Sequence, residues 1–261
     1  MPESTERPSL AACIDYKEFA LWQLASYAES DIEVCDSHII PASAHRATKN
    51  KGHNFLISTH GPPQQNDSDM KEPMLCSCCE KKFGDFENRW APVSRKLYEE
   101  LGSKSRMRIP TEDLGAMIGA VQSIFWRASV SEKMCADYKL PPETEAQLRL
   151  NMQAEPPILH LGCSVSIFSI EEVRSPFIVS PIRNDHGESQ FGAFGLVFRM
   201  FDTGQPRDLP PGEILDSNKG IGFAQHGNDG QVRLVRSFLE SAQPDSDALE
   251  RALGEFHGGQ G

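Results

Sequence analysis

Cys35-Asp36-Ser37-His38-Ile39-Ile40-Pro41 and, well downstream, Cys76-Ser77-Cys78-Cys79-Glu80-Lys81-Lys82-Phe83 are the two stretches that decide how this chain reads. Two thiolates three positions apart grip one ion from a tight turn, and a second short cluster elsewhere completes four-coordinate zinc. Cys35 with His38, and Cys76 with Cys79, make such a pair of clusters and would close a Cys3His site. If Cys78 joins Cys35, Cys76 and Cys79 instead, His38 is released for other chemistry. The stretch between the clusters is longer than a small finger allows and suits a β-hairpin with an inserted loop.

Working outward, 261 residues with 39% hydrophobic content are enough to bury a proper core, as one large domain or two small ones. Seven cysteines, an odd number with three crowded into 76–79, fit a reducing compartment and metal binding better than a disulfide framework. Cys13, Cys135 and Cys163 read as plain buried thiols. No apolar run approaches a bilayer span, and Met1-Pro2-Glu3-Ser4-Thr5-Glu6 lacks the regions of a signal peptide, so no membrane partner and a cytoplasmic location are expected. The net charge of -11 argues against nucleic acid at first sight, yet its distribution is uneven. From His45 to Arg108 there are 12 Lys and Arg against 8 Asp and Glu, while the remainder holds 14 against 29. The segment around the metal motifs is the net-basic part of an acidic protein.

The motifs resemble those of the HNH, or ββα-metal, nuclease superfamily, and within it a bacterial and phage group. SHIIP at 37–41 looks like the first strand motif, and LCSCCEKKFGDFE at 75–87 looks like the second knuckle leading into the metal-bearing helix. SIFWRASVS at 123–131 and LPPETEAQLRLNM at 140–152 extend the likeness loosely over residues 30 to 200. The resemblance implies metal-dependent cleavage of DNA or RNA, with His38 as general base and Asn54 orienting it. The chain departs from the pattern in three places. Only Cys35 stands where a complete first knuckle has two cysteines, Ser37 precedes the histidine where Asp or His is common, and Glu80 replaces Asn or His.

Phosphodiester hydrolysis needs a cation to stabilise developing charge, and carboxylates to hold it. Asp36 is the acidic residue nearest His38 in sequence, and Glu80 and Glu87 fall on one face of a continuous helix. Oxygen ligands with open positions suit Mg2+ or Mn2+, beside a structural Zn2+ on Cys35, Cys76 and Cys79. Three bland roles compete with these: a partly buried His38 bonding a backbone carbonyl, and Glu80 and Glu87 paired with Lys81, Lys82 or Arg89. Arg46, Lys49 and Lys51 read as phosphate contacts or as a hydrated loop, and His53 and His60 as alternative ligands.

The rest of the chain supplies scaffold. Residues 15–29 read as a helix, 60–69 as an exposed loop, and 80–90 as a helix that Pro92 ends or restarts, running on to a Gly102 cap. Thr111 reads as the N-cap of the clearest helix, with Leu114, Met117, Ile118, Val121, Ile124 and Phe125 at helical spacing. Arg127 at its end reads as the anchor of a carboxylate, ahead of a phosphate contact. A helix from Pro142 to Met152 follows, then three antiparallel strands within 158–170, 175–182 and 190–201, with hairpin chemistry at Arg183-Asn184-Asp185-His186-Gly187-Glu188-Ser189.

The expected architecture is α+β: an N-terminal helical segment (1–30), an HNH-like zinc-knuckle module (31–103), a helical region (104–155), an antiparallel β region (156–225), and a weakly ordered tail with a short helix (226–261). The expected function is metal-dependent endonuclease, with a non-catalytic zinc-stabilised module binding nucleic acid or protein as the alternative.

Overall fold

The computed structural model describes residues 34–48, 55–57, 64–65, 70–101, 104, 106–134, 138–153, 162–167, 178–185, 187–202, 214–216, 218–220 and 222–226. The expected helix at 15–29, Asn54, Lys49, Lys51, His53, His60, Cys13, Cys135, the Gly102 cap and the tail beyond 226 lie outside these residues.

The chain is α+β. It begins with β1 (Val34–His38), α1 (Ala42–Thr48), β2 (Phe55–Ile57), β3 (Gln64–Gln65), β4 (Lys71–Cys76) and α2 (Ser77–Glu100). It continues with β5 (Arg106–Arg108), α3 (Thr111–Val130), α4 (Pro142–Gln153), β6 (Gly162–Ile167), β7 (Ile178–Arg183), β8 (Glu188–Ala193), β9 (Leu196–Phe201) and β10 (Phe223–His226). β1 and β4 form a two-stranded antiparallel ribbon. The other eight strands form one sheet in the order β3-β2-β7-β8-β9-β6-β10-β5. The sheet is mainly antiparallel, as expected for the strands within 158–201, and adds two parallel pairs, β2 with β7 and β6 with β10. β2 and β5 thereby join strands from the C-terminal half, and one apolar cluster runs from Ile39 to Ala224.

The core lies between α2 and α3 on one side and the sheet on the other. All six predicted stripe residues of α3 are completely buried, and burial extends around the helix from Ala116 to Ser129. Trp90 of α2 meets Phe191, Phe194 and Phe198 edge-on, with ring centroids 6.4, 5.0 and 5.4 Å apart, and Phe125 of α3 meets Phe191 at 5.2 Å. Such edge-to-face pairs add about 0.5–1.5 kcal/mol each to the area they bury.

Five local expectations change. Pro92 sits inside α2 without ending it, its ring exposed on the solvent side. Thr111 is the first helical residue, after Pro110 at the cap, and its hydroxyl donates to the Gly220 carbonyl at 3.4 Å. The polar stretch after Pro41 starts with a helix, α1, and β10 emerges from the weak region after Leu215. Residues 190–201 hold two strands, because Phe194 and Gly195 take φ of 56° and 73° and Ala193 pairs with Leu196, a two-residue hairpin turn of the I′ kind. A side chain on Gly195 would come within 2.2 Å of the Tyr98 ring, so this turn accepts no other residue.

Candidate metal and nucleic-acid site

β1 and β4 run antiparallel with Cys35 opposite Leu75 and His38 opposite Lys71, and β4 passes directly into α2. This is a strand, strand, helix unit, with Cys35, Asp36, Ser37, His38, Cys76, Cys79, Glu80 and Glu87 on its three elements. Strand alternation sends Cys35 and Ser37 to one face and Asp36 and His38 to the other. Burial agrees for the last three: Ser37 is completely buried, Asp36 exposed and His38 half-buried.

That alternation separates the predicted ligands. Cys35 and His38 stand three residues apart on this strand, with an irregularity in register between Cys35 and Asp36, and alternation turns their side chains apart, which disfavours a zinc ion shared between them. Cys76 and Cys79 fit half of a zinc site well. Cys76 is the N-cap of α2 and its Sγ accepts the Cys79 backbone N–H at 3.5 Å, which puts both thiols in the first turn, buried against the core. Cys35 lies across the ribbon opposite Leu75, the residue before Cys76. Among the described residues, no group of three or more His, Cys, Asp or Glu side chains is arranged to hold a metal ion.

The carboxylates of α2 engage a hydroxyl of β1 and a guanidinium of α3. Glu80, in the first turn of α2, accepts a hydrogen bond from Ser37 Oγ at 2.7 Å. Glu87, two turns on, is paired with Arg127 at 2.5 Å, not with Lys81, Lys82 or Arg89. Arg127 is 1% exposed and is the anchor of this corner. One terminal nitrogen holds Glu87, the other donates to the His38 carbonyl at 2.6 Å, and Nε donates to the Ser123 carbonyl at 3.2 Å. Its guanidinium carbon lies 5.6 Å from the Phe83 ring centroid. The expectation that Arg127 anchors a carboxylate is met, with the His38 backbone as a second client.

Two further residues fasten the ribbon. Glu72, opposite Ser37, accepts the backbone N–H groups of Glu132 and Lys133 at 3.1 and 3.2 Å, just past the end of α3. Lys133 Nζ donates to the Lys71 carbonyl. The buried imidazole of His45, on α1, lies 6.4 Å from that of His38. Sequence reading passed over His45, although a helix starting just after Pro41 brings a residue seven positions beyond His38 back beside it. Arg46 is exposed on the same helix. Elsewhere, burial pushes the Cys163 thiol up to about 12, as suits an inert core cysteine. No described helix is long and apolar enough to cross a membrane. Comparison with protein-family models, with curated proteins and with solved structures finds no match to this chain.

Proposed function

We propose that the β1–β4–α2 unit is a nucleic-acid-processing centre of HNH-like type, hydrolysing phosphodiester bonds in DNA or RNA with His38 as the general base. The observation that carries this reading is the clamp on His38. A fully buried arginine is committed to holding that residue's carbonyl, at 2.6 Å, while pairing with a glutamate on the following helix. Burying a guanidinium is costly unless its geometry is well satisfied, and the return here is a fixed backbone position at the base. General-base catalysis depends on that kind of positioning, because the imidazole must be held within reach of the proton it removes.

In this reading Asp36, on the same face as His38, would be an oxygen donor for Mg2+ or Mn2+, which would supply charge stabilisation when bound, and Glu80 stays with Ser37 on the other side of the strand. Cys35, Cys76 and Cys79 are the thiolates for Zn2+. Glu87 acts through Arg127 on the position of His38. Purified wild type and His38→Ala, assayed on plasmid and single strands with Mg2+ or Mn2+, test the reading. A drop in cleavage of about a hundredfold or more is expected for a lost general base. Equal cleavage by the two proteins would remove His38 from the chemistry.

The second reading, a zinc-stabilised module that binds nucleic acid or protein without turnover, is favoured by one observation. Glu80 and Glu87 are already engaged by Ser37 and Arg127. It predicts one zinc that is lost in Cys76→Ser and kept in His38→Ala, with no cleavage by wild type.

A further inference from the structure

Among the described residues β5 is the last strand of the large sheet and pairs only with β10, so the other side of its backbone has no described strand beside it. Met107 packs toward the core and Arg106 and Arg108, its neighbours in the alternation, are exposed. Arg108 lies opposite Phe223, and Arg106 reaches diagonally across the pair to stack on that ring, its guanidinium carbon 3.8 Å from the centroid. Arg108 also donates to the Gly220 carbonyl at 3.2 Å. The cations nearby are already matched, Lys104 with Glu100 and Lys219 with Asp216. Among the described residues, neither Arg106 nor Arg108 has a carboxylate partner.

Charged side chains on an edge strand guard against edge-to-edge pairing, and either sign serves for that. Here both are positive, in a chain of net charge -11, and one is held flat on an aromatic ring. A guanidinium stacked on one face keeps its other face and its N–H edge available, for a base plane and a phosphate respectively. Aromatic and arginine faces are reached by unstacked bases, which a duplex does not present.

We infer that the β5 edge is a docking strip for single-stranded nucleic acid, with Arg106 and Arg108 on the phosphates and the Arg106–Phe223 stack as a platform for a base. The strip gives the polymer of the preceding section a holding place. It stands without hydrolysis, since binding is measured with no divalent cation present.

The test is fluorescence anisotropy of the full chain with short labelled single strands of DNA and RNA and with the corresponding duplex, over a salt series. Wild type is expected to bind a single strand more tightly than the duplex. R106Q/R108Q is expected to weaken single-strand binding at least about tenfold at low salt and to flatten the log–log salt slope by about 1.4, from about 0.7 per phosphate contact. Phe223→Leu should weaken binding about fivefold, and Arg106→Lys, which keeps the charge and loses the flat stack, by a similar factor. His38→Ala should bind as wild type does, whether or not wild type cuts. Unchanged binding by R106Q/R108Q, or no binding by wild type at low salt, would overturn the assignment. So would duplex or heparin bound as tightly as single strand with Phe223→Leu indistinguishable from wild type, the mark of unspecific attraction to polyanions.

Discussion

The β1–β4 ribbon and the large sheet lean on the same two helices, α2 and α3, and are held to them by different forces. The sheet is held by rings: Trp90 and Phe125 against Phe191, Phe194 and Phe198. The ribbon buries Met74 and Leu75 in the same apolar cluster and adds charged hydrogen bonds: Arg127 donates to the His38 carbonyl, two backbone N–H groups donate to Glu72, and Ser37 donates to Glu80. The hydrophobic burial behind ring packing is non-directional and sets where a surface lies. A charged hydrogen bond sets where one atom lies, and the half of the molecule built that way is the half that carries the candidate site.

The contrast is broken most severely at Trp90. Trp90→Ala should cost about 3–5 kcal/mol in denaturant unfolding, as large core truncations do, and a cost under about 1 kcal/mol would mean that the rings are not what holds the sheet. Arg127→Met should cost about 3 kcal/mol, because the Glu87 carboxylate and the His38 carbonyl lose their shared donor. In a double-mutant cycle with Glu87→Leu, the pair should cost clearly less than the sum of the singles, and simple additivity would show that the two side chains do not act together. Arg127→Lys should fail to restore stability, since one ammonium cannot reach two acceptors held by a planar fork. Glu72→Gln should cost about 1–2 kcal/mol by the same denaturation, weakening the bonds to residues 132 and 133.

The last effect is a matter of pH and is absent near neutrality. Burial keeps the Cys163 thiol protonated up to about 12, whereas an unfolded cysteine ionises near 8.5. The folded state therefore retains a proton that the unfolded state releases in between. Its contribution is fully present below about pH 8.5 and is lost as pH rises toward 12. Cys163→Ala should flatten that part of the stability curve. At pH 8 a thiol reagent followed by peptide mapping should label the half-buried Cys35 well before Cys163, and the reverse order would contradict the burial of Cys163.

The same contrast governs what the sequence discloses. The stripe Leu114 to Phe125 was readable because apolar periodicity is a direct imprint of a buried helix face. The hairpin between β7 and β8 was readable because Asn184, Asp185 and Gly187 carry turn chemistry. The turn at Phe194–Gly195 was not, since Phe is a strand former and its left-handed φ is sustained by packing on Trp90. At the site, the residue types were legible and their facing was not. Cys35-x2-His38 looks like a ligand pair in a turn, and on an extended strand it becomes two residues pointing apart. Whether the segment is a turn or a strand depends on Lys71–Cys76 pairing with it, a long-range event that leaves no local trace. His45 and Glu72 were missed for the same reason, being ordinary until the fold brings them to His38 and to the end of α3.

β10 has a consequence for the order in which the molecule is made. It inserts between β6 and β5, parallel to one and antiparallel to the other, and it is the last described strand. While the chain emerges from the ribosome, the strand bearing Arg106 and Arg108 is synthesised long before its one described neighbour. A ribosome halted short of Phe223 therefore releases a chain in which β6 has a bare edge and β5 has nothing to pair with, a template for joining other chains. The final few residues of the described sheet close that exposure, so premature termination is expected to be more harmful here than the small size of the missing strand would imply.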